Sequence, residues 1–215
     1  TASEPPASAT PVSVLLPTVR WTDACDEVAG QLRGPEAFGG GAGETDELLV
    51  ICDSPDDPVA DRRGGLPART RIVIAGEPEG CSGKANAVAA GMEAAANERI
   101  AWTDDDFRHP PDWLAALDAD YDRQGPTTEV PVFVGLDPLA RLFEPAYVIG
   151  GTLAVAAAGV AWGGGVILER DDLRGGGAAV RPGPPGTGSD GGALTDRVGG
   201  SSVGRAPVVP ARGGA

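Results

Sequence analysis

Lysine is almost missing from this chain: the basic residues number 17, and Lys84 is the single lysine among them. Histidine and methionine also occur once each, as His109 and Met92. Against 31 acidic residues this leaves a formal charge of −14, and no cationic stripe of the kind a nucleic-acid backbone needs is present. The same charge opposes docking on anionic lipid, while it suits a surface that holds water and cations in concentrated salt. Scarce lysine, abundant aspartate and small apolar residues together point to a salt-adapted, arginine-rich, halophile-like proteome. Three cysteines, Cys25, Cys52 and Cys81, fit neither a zinc pattern nor a disulfide framework and read as reduced thiols of a cytoplasm. The first ten residues, TASEPPASAT, lack the basic start and apolar core of a secretory signal and read as a disordered lead-in. One uncharged run, 148–168, has the length of a membrane span. Its glycines and alanines make it weakly hydrophobic, and Gly163, Gly164 and Gly165 would break a helix, so it reads as a buried or interfacial segment.

What is present is an alternation of short apolar runs with helical patterns. The chain, 215 residues long, is sized for one domain with a sheet covered on both faces. Strands are expected at VSVLL (12–16), ELLVIC (47–52), RIVIA (71–75), RIAWT (99–103) and 130–134, with helices over about 23–32, 84–97 and from Pro110 onward. A later strand is expected at VILER, then a flexible loop, a short helix from about Gly192 and a last strand near Val203. Continuous apolar strands alternating with helices imply an α/β domain with a largely parallel sheet and helices on both faces. Ligands of such sheets gather beyond the carboxyl ends of the strands, where Asp53 and Asp104, Asp105 and Asp106 fall.

If the fourth strand continued through residue 106, Asp104 and Asp106 would share one face and Asp105 the other, making a D-x-D pair. Two carboxylates about 4 Å apart repel by roughly 4 kcal/mol at an effective dielectric of about 20, so a shared proton or a cation is favoured. Oxygen ligands suit magnesium or manganese, with a nucleoside diphosphate completing the coordination. The alternative is a solvent-facing acidic turn. Lys84, twenty residues upstream, supplies a compact charge on a flexible stem, suited to a phosphate or sugar oxygen; the plainer alternative is a surface lysine. A P-loop is excluded, because Pro78 and Ala85 stand where glycine and serine or threonine are required. GGGAGE, at 39–44, follows a helix rather than a strand, against a dinucleotide fingerprint.

The order VSVLLPT, an aspartate after the second strand, GKANAVAAGMEAA, IAWTDDDFRHPPDWL and GGGVILERDDL resembles the catalytic domain of family 2 glycosyltransferases, and is most similar to their ceramide-glucosyltransferase-like branch. The resemblance implies a GT-A-type nucleotide-diphospho-sugar transferase fold and a hexosyltransferase. It would use a UDP- or GDP-sugar donor, a Mg2+ or Mn2+ ion, and inversion at the anomeric carbon. It implies one catalytic domain over 11–210 between the lead-in and a tail at 211–215, with a donor half (11–110) and an acceptor half (111–210) carrying a flexible loop at 174–189. Pro17, Thr18 and Asp53 would surround the base and ribose, Lys84 and Asn86 would approach the diphosphate and sugar, and Asp104 and Asp106 would hold the metal, with Asp104 also touching the donor. Gly163, Gly164 and Gly165 would let an acceptor approach, with Trp162 as an apolar wall or as core filler. His109 would sit near the site without acting. Asp190 matches the general base, although Gly191 follows where an acidic or aromatic residue is usual, and the Q-x-x-R-W signature is missing. The chain therefore reads as a short enzyme, a fragment, or a subunit for a membrane partner, working in the cytoplasm at the inner membrane face on a hydroxyl acceptor such as a lipid or polyprenyl carrier. Two other readings stand beside it: a non-catalytic sugar-nucleotide-binding scaffold, and a sugar nucleotidyltransferase, whose basic glycine-rich signature after the first strand is lacking here.

Overall fold

Strand β1 (Val12–Pro17) lies inside the sheet and pairs in parallel with β2 (Glu47–Cys52) on one side and β4 (Arg99–Thr103) on the other. The computed structural model describes residues 10–38, 44–129 and 164–173, together with the backbone of 204–205. Strand β3 (Thr70–Ile74) extends the parallel set beyond β2. On the far side β6 (Gly165–Glu169) runs antiparallel to β4 and to β5 (Thr127–Thr128), and β7 (Gly204–Arg205) closes the order β3-β2-β1-β4-β6-β5-β7. The α/β class and the mostly parallel sheet follow the expectation from the sequence. The expected fifth strand at 130–134 and the helix from about Gly192 lie outside the described residues.

Alternation within each strand divides the core into two layers. Val12, Val14, Leu16, Leu48, Val50, Ala101 and Ile167 face α1 (Asp23–Ala29) and α3 (Trp113–Gln124), where Cys25, Val28, Trp113, Leu114 and Leu117 meet them. Leu15, Leu49, Ile51, Ile100, Trp102, Val166 and Leu168 face the other way, toward Ala87, Val88 and Met92 of α2 (Gly83–Ala94). Gly91 brings α2 very close to the sheet: a Cβ there would lie 2.4 Å from Ile51 Cδ1, so a side chain at 91 would force Ile51 and Leu15 to repack. Helix α2 begins where Ser82 Oγ accepts from the Ala85 N–H at 3.2 Å.

Helix α3 starts three residues later than the two prolines suggested. Its first turn is completed from α1's side of the molecule rather than by its own cap: Gln31 Oε1 accepts from Leu114 N–H at 2.9 Å while Gln31 Nε2 donates to the Pro110 carbonyl at 2.9 Å.

At the amino ends of the strands buried charges form a closed network. Asp46, fully buried, accepts from Val12 N–H (2.8 Å), Arg33 N–H (2.9 Å) and Arg33 Nε (2.7 Å). Arg33 also donates to Asp118 of α3 at 2.7 Å, and Asp118 takes a second guanidinium, that of Arg99, at 2.6 Å. Arg99 then reaches Glu169 (2.9 Å) and Asp122 (2.8 Å) and stacks over Tyr121, 4.4 Å from the ring centre. Partners around Arg99 outweigh its desolvation and raise its pKa above the ordinary arginine value. Replacing Asp118 by alanine leaves the buried Arg99 and the half-buried Arg33 each short of a partner; urea unfolding should show a loss of about 3 kcal/mol, and a loss below about 1 kcal/mol would show that the network is not coupled to the fold.

Candidate functional site

The carboxyl ends of β1, β2 and β4 open onto one cleft of about 400 Å3. Its lining includes Pro17 and Thr18 from β1's exit, Asp53 from β2's, Gly83 and Lys84 from the first turn of α2, and Asp104, Asp105 and Asp106 from β4's. Parallel pairing makes this convergence unavoidable, because Leu15 lies opposite Leu49 in β2 and Trp102 in β4, so the three strands finish at one level. Of the donor-side residues drawn from the sequence, Pro17, Thr18, Asp53, Lys84, Asp104 and Asp106 are therefore brought together.

Asp105 belongs with them, against the expected alternation. Strand β4 ends at Thr103 and a turn takes over at 105–106, so side chains no longer alternate about a sheet plane and all three aspartates line the cleft. Thr18 Oγ1 lies 2.6 Å from Asp105 Oδ2 and 2.7 Å from the Arg20 carbonyl, joining the exit of β1 to that of β4. A reading alert to the turn-forming tendency of consecutive aspartates would have found this residue.

Lys84 Nζ stands 2.5 Å from Asp104 Oδ1. Among the described residues it is the single cation lining the cleft, against four aspartates, so their sum is an excess of negative charge. Among the described residues no group of three or more His, Cys, Asp or Glu converges as a metal cage. Hard oxygens from one short turn, too few to enclose an ion, fit magnesium or manganese, which take remaining ligands from water or phosphate; they do not fit a structural ion held by protein alone. Asp104 and Asp106 are the residues that would hold it.

Other expected site residues make contacts within the fold. Asn86 is absent from the cleft lining; its Nδ2 donates to the Gly76 carbonyl at 2.9 Å, fastening the loop between β3 and α2. Gly165 is small for an internal reason, because a Cβ there would lie 2.4 Å from Glu129 Oε2. Burial raises the pKa of that Glu129 carboxyl, which accepts from Trp113 Nε1 at 2.6 Å. The Gly164 carbonyl accepts from Thr103 Oγ1 at 3.0 Å. Trp162, Gly163 and Asp190 lie outside the described residues. All three cysteines are free thiols, and burial pushes Cys25 and Cys52 up.

Against this geometry the relatives can be placed. Residues 42–146 match the family model described as Glycosyl transferase family 2. That segment carries Asp53, Lys84 and all three aspartates of the turn. Three solved structures share the fold: a mycobacterial protein (TM-score 0.55, 21% identity, 92% of this chain and 65% of that one) and two structures of glucosyl-3-phosphoglycerate synthase from Mycobacterium tuberculosis. Of the latter, the one with phosphoglyceric acid gives TM-score 0.53 at 17% identity over 91% of this chain and 69% of that one. The one with Mn2+, uridine diphosphate and glucosyl-3-phosphoglycerate gives 0.53 at 17% over 95% and 75%. The chain thus spans about two thirds to three quarters of the lengths of these neighbours, and the fold is the GT-A fold of glycosyltransferases. These neighbours do not single out the ceramide-glucosyltransferase-like branch. Among curated proteins none matches the chain. No helix of the described residues is long and apolar enough to cross a membrane.

His109 sits behind the aspartate turn, its side chain 2% exposed and its ring edge-on to Trp113 at 4.5 Å. Burial holds its pKa down at about 4, despite Glu27 nearby. The folded pKa lies below the unfolded value of about 6.5, so from pH 6.5 down to 4 the unfolded chain binds a proton that the native state refuses. Stability attributable to His109 is complete above that window, falls through it by up to about 3 kcal/mol, and levels off below pH 4. Urea unfolding of wild type and His109→Gln should diverge across pH 4–6.5, with wild type losing more; parallel profiles would show that the ring is not buried neutral.

Proposed function

We propose that the chain is a metal-dependent, inverting glycosyltransferase that takes a sugar from a UDP- or GDP-sugar and passes it to a hydroxyl group. The observation that carries this reading is the single cleft in which Pro17, Thr18, Asp53, Lys84, Asp104 and Asp106 meet at the carboxyl ends of three parallel strands. Support comes from the family match over 42–146 and from a fold shared with a synthase solved with Mn2+ and UDP-glucose (TM-score 0.55, 18% identity).

In this reading the base and ribose lie against Pro17, Thr18 and Asp53, and the diphosphate points toward Lys84 and the aspartate turn. The described lining would repel an anion with four aspartates and attract it with one lysine, so the donor binds more tightly with a divalent cation than without one. When bound, Mg2+ or Mn2+ offsets the charge that grows on the departing nucleoside diphosphate. Lys84, paired with Asp104 on the first turn of α2, would donate to a phosphate oxygen. The acceptor oxygen attacks the anomeric carbon as the bond to the diphosphate breaks, and its proton passes to Asp190, the residue the family pattern assigns as base. A carboxylate is too weak to ionise an alcohol beforehand, so proton transfer accompanies bond formation. Hexoses are the proposed sugars, and a lipid or polyprenyl carrier at the cytoplasmic membrane face is the proposed acceptor class.

Gly191 after Asp190 favours a second reading, a binding protein that holds a sugar nucleotide without turning it over. Slow, metal-dependent hydrolysis of UDP-glucose by the purified chain decides between the two; tight binding with no hydrolysis or transfer would support the second. Asp104→Asn with Asp106→Asn should lower donor affinity in manganese by about tenfold or more, and undiminished affinity would contradict the metal assignment. Asp190→Asn should abolish transfer while leaving nucleotide affinity unchanged; retained transfer would remove Asp190 from the mechanism.

A further inference from the structure

Asp104, Asp105 and Asp106 stand on a loop whose two ends are fastened to each other. Thr103 precedes them, fully buried at the end of β4, and His109 follows them with its side chain 2% exposed. His109 Nε2 lies 2.8 Å from Thr103 Oγ1. Thr103 Oγ1 also lies 3.0 Å from the Gly164 carbonyl, so the one hydroxyl ties the exit of β4 both to His109 and to the residue before β6. Nδ1 is buried without a close hydrogen bond, 3.7 Å from Glu27 Oε2. The same Glu27 oxygen accepts from the His109 backbone N–H at 2.9 Å, and its other oxygen accepts from Arg108 at 2.7 Å, holding this end of the loop on α1.

We propose that His109 and Thr103 are positioning residues for the nucleotide site: their side-chain hydrogen bond closes the aspartate loop and fixes the direction in which its carboxylates face the cleft. The inference rests on the reading of Asp104 and Asp106 as holders of a cation against diphosphate. Strand β4 does not need the clasp to stay in place, because Val12 to Leu15 of β1 pair with its residues 99–102 and β6 pairs with all of 99–103. Loss of the Thr103 hydroxyl therefore loosens the loop and leaves the strand. Serine at 103 keeps the hydroxyl, and glutamine at 109 carries an N–H that reaches the same oxygen.

The test is calorimetric titration of UDP into the full chain, in EDTA and in manganese, for wild type, Thr103→Ser, Thr103→Val, His109→Gln and His109→Leu. Wild type, Thr103→Ser and His109→Gln should bind more tightly in manganese; Thr103→Val and His109→Leu should lose about tenfold or more of that gain while keeping their affinity in EDTA. A purely structural role would lower both affinities together or neither, so a full manganese gain in Thr103→Val overturns the proposal. Should His109→Leu fail to fold by near-ultraviolet circular dichroism, the Thr103→Ser and Thr103→Val pair decides alone. Absence of any manganese gain in wild type overturns the reading of the site itself, and the clasp with it.

Discussion

A carboxylate withdrawn from water is tolerated only when its charge is matched, and the two ends of this sheet treat that requirement differently. At the amino ends Asp46 and Asp118 are enclosed by Arg33 and Arg99, with Glu169 and Asp122 completing the set. At the carboxyl ends Asp53, Asp104, Asp105 and Asp106 share a cleft with Lys84, the only lining cation among the described residues. Among the described residues one end is neutralised from within the chain, while the other, partly open to solvent, lines its cleft with more aspartates than cations. A pyrophosphate by itself would deepen that imbalance, and a divalent ion by itself would leave its remaining positions to water. In the proposed reading the two bind together, each offsetting charge that the other would leave on the cleft.

The choice of lysine at position 84 takes its sense from this arrangement. Arginine at 33 and 99 presents a planar fork to several carboxylates at once and is held rigidly. Lys84, on the first turn of α2, offers one flexible point charge that neutralises Asp104 and remains able to turn toward a phosphate. The start of α2 contributes in the same sense, since the positive end of a helix dipole faces the cleft through Gly83 and Lys84.

Strands β1 to β4 and β6 were legible in the sequence because each is a continuous apolar run, and parallel pairing then placed the residues after them in one cleft. Asp105 was not, since a period-two rule was carried past Thr103 into a turn. Beyond the ligand contacts read for them, Asn86 ties a loop and Gly165 makes room for Glu129. Neither use is visible locally, because the Gly76 carbonyl and the Glu129 carboxyl arrive from 10 and 36 positions away in the chain (86 − 76 and 165 − 129). The Arg33 to Asp118 pair spans 85 positions and is equally invisible to any window of sequence. Likewise His109, which looked like a bystander beside two prolines, is buried behind the aspartate turn and bonded to the residue that precedes it.

The central claim, that the aspartate turn after β4 holds a cation which in turn holds a nucleoside diphosphate, is tested most directly by a crystal structure grown with UDP and manganese, using manganese anomalous scattering. The account predicts one anomalous peak within bonding distance of Asp104 or Asp106 and of the diphosphate oxygens, with the uracil near Thr18 and Asp53. A diphosphate bound away from the turn, or an anomalous peak that touches nucleotide but no aspartate of the turn, would contradict it.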